Sequence, residues 1–143
     1  MKNKTIIRLI VAFCFVGLLA SIYLIRLHFV PTSGFCDLNA QFSCSTINQS
    51  KYASFLGIPV AIIGALGYLL LISIAIASEK KKKYKKELSK ILLFFSSVAL
   101  IFSLYLTYIE FQVLKTLCIF CLTSQAVILI VTFFAFIYYQ RKE

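Results

Sequence analysis

Charged residues are scarce in this chain. They make up 14% of its 143 residues, whereas 61% are hydrophobic. A water-soluble domain of this length buries only about two thirds of the surface that its unfolded chain exposes. It could not hide so many apolar side chains. A soluble fold is therefore excluded, and the composition predicts an integral membrane protein.

Histidine and methionine occur once each, as His28 and Met1. A soft-metal site would have to consist almost wholly of thiolates, which disfavours a metal centre. The chain also lacks the G-x-G-x-x-G fingerprint of dinucleotide-binding folds. Its net charge of +10 does not indicate nucleic acid, because the basic residues cluster between apolar runs and do not alternate with aromatics along one face.

Four apolar runs are long enough to cross roughly 30 Å of hydrocarbon as helices. They predict an all-α integral membrane protein, a four-transmembrane-helix bundle forming a single domain over residues 1–143. The helices are expected at about residues 6–30, 57–78, 90–110 and 117–139, with an outer loop at 31–56 and a lysine-rich loop at 79–90. A cleaved signal peptide is the alternative for the first run, but this run is long for that role.

Basic residues are distributed unevenly over the two sides of this arrangement. Twelve of the fifteen lysines and arginines lie near the two termini and in the lysine-rich loop, whereas Arg26, Lys51 and Lys115 lie on the other side. The positive-inside rule therefore predicts that both termini are cytoplasmic. The outer loop and the start of the fourth helix then share the outer face of the cell membrane, whether or not the first run is cleaved.

Four of the five cysteines form two close pairs, Cys36 with Cys44 and Cys118 with Cys121. Both pairs fall on the predicted outer side, where disulfides persist because thiols are not kept reduced. Two dithiols at one membrane level can exchange through a mixed disulfide. A purely structural disulfide is the alternative for the first pair. The fifth cysteine, Cys14, lies in the middle of an apolar run, where a lone thiol is usually a small hydrophobic residue.

The Cys118/Cys121 pair has helical spacing. Residues three apart on a helix have Cα atoms about 5 Å apart, which a disulfide can bridge. Cys118 is expected in the first turn of the last helix, where the helix dipole and the upstream Lys115 favour a thiolate. Cys121, one turn deeper, should face the bundle in the apolar layer, and a lipid-soluble two-electron acceptor such as a quinone fits that position.

These residues resemble the vitamin K epoxide reductase family, including its bacterial disulfide-forming homologues, over nearly the whole chain. The resemblance is carried by Cys36-Asp37, Ser43-Cys44-Ser45, Ser50-Lys51-Tyr52, Gly57-Ile58-Pro59, Ser103-Leu104-Tyr105-Leu106 and Cys118-Ile119-Phe120-Cys121. It implies a four-helix bundle around a quinone pocket near the outer surface, with Cys118 and Cys121 as the redox centre.

The resemblance also implies a role for each site residue in a membrane thiol:quinone oxidoreductase. Cys36 would exchange with a thioredoxin-like (DsbA-type) partner, and Cys44 would pass the electrons to Cys118. Cys121 would reduce a quinone of the menaquinone or ubiquinone type. Ser50, six residues after Cys44, would donate a hydrogen bond to a quinone carbonyl, although a solvated loop serine is the alternative. The result would be disulfide formation in exported proteins.

Two positions depart from the animal members of the family, which carry an asparagine early in the second helix and a tyrosine four residues after the last cysteine. The equivalents here are Val60 and Gln125, which favours a bacterial respiratory quinone over vitamin K epoxide. Because the chain ends at Glu143, the partner is expected to be a separate protein. A DsbB-type oxidase is disfavoured because its Cys-x-x-Cys motif lies in the first outer loop. A soft-metal transporter and a small structural subunit with inert disulfides are the remaining alternatives.

Overall fold

The computed structural model describes residues 2–30 and 50–141, and most of these residues are helical. Four helices are long and apolar enough to span a membrane. They are α1 (Asn3–Phe29), α2 (Val60–Lys80), α3 (Lys85–Tyr108) and α4 (Ile119–Gln140). The expected four-helix membrane bundle is therefore confirmed.

The helices form a ring of neighbours. Helix α1 packs against α2 and α4, and α3 packs against the same two helices from the other side. Large apolar side chains cover the outside of this ring, among them Leu66, Ile101 and Phe133, each more than 60% exposed. An apolar outer surface of this kind is suited to lipid. Lipid offers no hydrogen-bond partners to the backbone, and a helix satisfies its backbone groups internally.

The lysine-rich segment differs from the loop expected at 79–90. Helix α2 continues to Lys80, a 3-10 turn covers Lys82–Tyr84, and α3 already begins at Lys85. Lysine and glutamate have high helix propensity, and like charges on a solvated helix cost only a few tenths of a kcal/mol per pair. The helices therefore extend beyond their apolar runs, and the reversal between them is short.

A small hairpin precedes α2, where the sequence pattern placed the start of a helix at residue 57. Strand β1 (Ser54–Phe55) pairs antiparallel with β2 (Ile58–Pro59). The two turn residues have positive φ, 53° at Leu56 and 81° at Gly57, as a two-residue type I′ hairpin turn requires. Pro59 then caps α2, and the first helical residue is Val60.

The connection between α3 and α4 is also more structured than a plain turn. A π-helix over Ile109–Leu114 continues α3, and Lys115 ends it in the left-handed conformation, with φ 50°. The chain then reverses and enters α4 through Cys118. Single π-turns of this kind are frequent at functional sites.

The two ends of the bundle are packed differently. We call the end that contains residue 3, the lysine-rich segment and residue 140 the lysine end, and the end that contains Cys118 the cysteine end. At the lysine end a continuous core includes fully buried Ile6, Leu92 and Tyr138. At the cysteine end a smaller buried cluster of Leu24, Leu27, Ala61 and Cys118 lies beside a cavity.

Candidate functional site

Cys118 occupies the N-cap of α4. Its backbone is extended, with φ −111° and ψ 116°, and its Sγ accepts a hydrogen bond of 3.1 Å from the backbone N–H of Cys121. Serine, threonine, aspartate and asparagine usually fill this position because their oxygens satisfy the open N–H groups of the first turn. A sulfur placed here also faces the positive end of the helix dipole. The expected position at the helix start is therefore what the structure has, and the side chain is fully buried.

Cys121 lies one turn further along α4 and is partly buried. Its thiol contacts the sulfur of Cys118 on one side and the carboxyl group of Glu110 on the other. It also lines the cavity between the helices, which Cys118 does not. The two sulfurs therefore have different surroundings: one is enclosed at the helix cap, and the other adjoins open space inside the bundle.

The cavity has a volume of about 350 Å³, within the range of small-molecule sites. Most of its wall is apolar, with contributions from every transmembrane helix. Among the apolar lining residues are Leu24, Val60, Ile63, Leu71, Phe95, Val98, Phe102, Leu106 and Ile128. A flat apolar ligand with a hydrocarbon tail would suit these walls.

Several of the polar groups in the cavity wall lie toward the cysteine end. Ser50 and Tyr52 line the cavity from the segment before the hairpin, and Ser103 and Thr107 line it from α3. Ser50 is thus among the lining residues, as a quinone-binding residue would need to be. A small set of polar groups at one end of an apolar pocket is the usual way in which an elongated ligand is oriented.

A hydrogen-bond group behind this wall ties α3 to α4. The Ser103 hydroxyl donates to Oε1 of Gln125, and the Thr107 hydroxyl lies 3.4 Å from the same oxygen. Gln125 itself is buried and is not among the lining residues. The Gln125 amide therefore contacts two cavity hydroxyls from behind.

Tyr68 ties α2 to α4 in a similar way. Its hydroxyl lies 2.7 Å from Oγ of Ser124 and donates to the Ser124 carbonyl oxygen at 3.1 Å. The ring lies against Gly17 of α1, where an added Cβ would be 2.4 Å from the ring Cζ. Both Tyr68 and Ser124 line the cavity. Because Gly17 has no side chain, there is room for the Tyr68 ring, which forms part of the cavity wall.

Cys36 and Cys44 lie outside the described residues. The structure therefore places Cys121 and Ser50 in the wall of one cavity, with Cys118 next to Cys121. The contact of the first cysteine pair with Cys118 stays a prediction.

Sequence reasoning missed Glu110, which the structure places beside both described cysteines of the site. The signal was present: in the 24 residues from Ile91 to Leu114, Glu110 is the only charged residue. An ionisable side chain in such a run is costly and usually functional. Tyr68, Thr107 and Ser124 were also missed, because an isolated polar residue in an apolar helix carries no sign of the direction in which it points.

The fold and the site together define a multi-pass membrane protein with a cysteine pair beside an intramembrane cavity. The sequence model of the vitamin K epoxide reductase family matches residues 8–136, and the chain belongs to this family. Membership identifies it as a membrane oxidoreductase of a family whose chemistry is linked to thiols and quinones.

Proposed function

We propose that this protein is a thiol:quinone oxidoreductase of the cell membrane. It reoxidises a separate thioredoxin-like (DsbA-type) protein on the outer face and passes the electrons through Cys36/Cys44 and Cys118/Cys121 to a menaquinone or ubiquinone. The outcome is disulfide formation in exported proteins. The outward orientation rests on the distribution of lysine and arginine.

The position of Cys121 carries this proposal. Its sulfur contacts Cys118 and adjoins the cavity, so a dithiol lies next to a space for an apolar acceptor. Cys118 is enclosed at the helix cap, which leaves Cys121 as the sulfur from which the acceptor would take electrons.

The cavity suits a quinone in two respects. Hydroxyl groups of Ser50 and Thr107 lie toward the cysteine end, where ring carbonyls would accept hydrogen bonds, and most of the remaining wall is apolar. Leu70 and Val98 both line the cavity and are more than 40% exposed. A gap between α2 and α3 at these residues would admit a prenyl tail from the lipid. A bound quinone supplies an acceptor for two electrons and two protons.

The proposed electron path consists of two disulfide exchanges and one oxidation. The partner dithiol attacks the Cys36–Cys44 disulfide and leaves as a disulfide. The Cys44 thiolate then attacks Cys118 in the Cys118–Cys121 disulfide, which releases Cys121, and Cys36 resolves the mixed disulfide. Each exchange breaks one S–S bond and forms another. Reforming the Cys118–Cys121 bond yields the two electrons and two protons that the acceptor takes up.

Membranes that contain the protein, a reduced thioredoxin-like partner and quinone test the proposal. We expect quinol to form, and we expect Cys118→Ser and Cys121→Ser to abolish its formation. Cys14→Ala is the matched control, since Cys14 is buried in α1 and lies outside the cavity lining. Quinol formation that persists in both serine variants would falsify the assignment of the redox centre.

The order of the exchanges has its own test. In Cys121→Ser, the Cys118 thiolate can attack the Cys36–Cys44 disulfide at Cys44 and release Cys36. Because Cys121 is no longer there to resolve it, the Cys44–Cys118 disulfide should accumulate, detectable by peptide mass spectrometry. A trapped Cys44–Cys121 species in Cys118→Ser, without the expected one, would reverse the proposed order.

A further inference from the structure

Glu110 is a buried carboxylic acid in a membrane helix. It is only 5% exposed and lies on the π-helix at the cysteine end. A buried charge is costly unless it is paired or hydrogen-bonded. Apart from Glu110, the acidic residues that the structure describes are Glu79 and Glu87, both at the lysine end. Helix stability alone therefore does not account for a carboxyl group at this position.

Glu110 contacts both members of the cysteine pair. Its carboxyl group accepts hydrogen bonds from the backbone N–H of Cys118 and from the thiol of Cys121. Its Oε2 atom has no hydrogen-bond partner within residues 2–30 and 50–141. Glu110 also lines the cavity. A proton acceptor thus touches the Cys121 thiol, and the same carboxyl group borders the space in which the electron acceptor would bind.

We propose that Glu110 is the catalytic proton carrier of the Cys118/Cys121 pair, an inference that rests on the thiol:quinone function proposed above. When the pair is oxidised, the S–H bond of Cys121 breaks and an O–H bond forms on the Glu110 carboxylate. The S–S bond then forms as Cys118 also loses its proton, and the two electrons that the thiols give up go to the quinone with two protons, one from Glu110 and one from Cys118. When an incoming thiolate reopens the disulfide at Cys118, Cys121 leaves as a thiolate and takes up the proton that the incoming thiol had lost, so Glu110 is needed for the oxidation step.

A purely positioning role is the competing explanation. By accepting from the Cys118 N–H, the carboxyl group could simply hold the start of α4 in place. The two roles predict opposite orders for two substitutions. Glu110→Gln keeps the length and one acceptor oxygen but cannot take up a proton. Glu110→Asp keeps a titratable carboxyl group but withdraws it by one methylene. Proton transfer predicts that Asp is the more active variant, whereas positioning predicts that Gln is.

The experiment compares quinol formation by the wild-type protein, both Glu110 variants and Glu87→Gln. Glu87 is a matched control on α3, exposed and paired with Lys90 at 3.4 Å. We expect Glu110→Gln to be about 100-fold slower, the typical contribution of a general acid–base. Glu110→Asp should be intermediate, and Glu87→Gln unchanged. If Glu110→Gln equals the wild type or exceeds Glu110→Asp, the proposal is wrong.

A second measurement does not depend on the rate of quinol formation. In cells, the redox state of Cys118 and Cys121 can be trapped by acid and alkylation and quantified by peptide mass spectrometry. Loss of the proton carrier should let the dithiol accumulate in Glu110→Gln, since electrons still enter from the partner but leave slowly. The proposal is wrong if the pair in Glu110→Gln stays as oxidised as in the wild type. This holds even if both Glu110 variants form no quinol. If the wild type itself forms no quinol, the result contradicts the proposed thiol:quinone function as a whole and not only the role of Glu110.

Discussion

The lysine end and the cysteine end of the bundle use the same four helices for different purposes. At the lysine end, side chains such as Leu92 and Tyr138 are fully buried in a continuous core between the helices. At the cysteine end, the helices enclose a cavity of about 350 Å³ with several polar groups, among them Ser50, Thr107 and Glu110, along its wall. The packed end supplies the stability that allows the other end to stay hollow. Substitutions should accordingly affect stability at one end and chemistry at the other.

The largest effect on stability is expected at the lysine end. Leu92→Ala leaves a void in the fully buried core, and such voids typically cost about 2–5 kcal/mol. The neighbouring Ile91 is 42% exposed, so Ile91→Ala is a matched control with a small effect. Unfolding in mixed detergent micelles measures both variants. Equal losses would mean that the core does not carry the stability of the bundle.

Gly17→Ala tests the boundary between the two ends. The added methyl group would lie 2.4 Å from Cζ of Tyr68 and must displace that ring from its hydrogen bond with Ser124. Overpacking of this kind costs about 1–3 kcal/mol, and quinone affinity should also fall because the cavity wall moves. Gly67→Ala is the control for stability, since no atom of residues 2–30 and 50–141 outside its own helix lies within 4 Å of its added methyl group. Equal thermal stability of the two variants would show that the Tyr68 ring is free to move.

A smaller effect is expected for the hydrogen bond between α3 and α4. Ser103→Ala removes the hydroxyl that donates to Gln125 and leaves the Thr107 hydroxyl at 3.4 Å. We expect a loss of about 1 kcal/mol in thermal unfolding. Ser73→Ala is the control, since the Ser73 hydroxyl donates to the Leu69 carbonyl of its own helix. If Ser103→Ala is as stable as the wild type, this hydrogen bond does not stabilise the cysteine end.

The smallest effect is expected at the surface of the lysine end. The Lys90–Glu87 pair is 48% and 65% exposed at its side chains, and exposed pairs contribute about 0–1 kcal/mol. Glu87→Gln should therefore leave thermal stability and quinol formation nearly unchanged at physiological salt. A clear loss in either measurement would mean that the lysine segment contributes to the stability of the bundle or to quinol formation.

Much of this architecture could be predicted from hydropathy and cysteine spacing. The four spans follow from apolar runs, and the position of Cys118 at the start of the last helix follows from where its run begins. The hairpin at Leu56-Gly57 could not be predicted, because two-residue strands have no detectable periodicity. The helical lysine segment was missed because like charges suggested a loop, although the propensity of lysine favours a helix.

The cavity wall was beyond prediction for a different reason. Whether Tyr68, Thr107 or Gln125 faces a neighbouring helix depends on the rotation of each helix about its axis, and apolar residues on all sides of a membrane helix do not determine that rotation. Glu110 is the exception, since a carboxyl group in an apolar run was visible in the sequence itself.

Because α3 is continuous with the lysine segment, its length fixes the distance between the lysines and Glu110 across the membrane. Lys90 and Glu110 are both on the helical run Lys82–Leu114, and twenty residues at 1.5 Å each separate them by about 30 Å, the thickness of a typical hydrocarbon layer. With the lysines held among lipid headgroups, Glu110 lies at the opposite boundary of the hydrocarbon. Membrane thickness thus sets the depth of the thiol site, and we expect quinol formation to be fastest in vesicles whose acyl chains match this length and to fall in thinner ones.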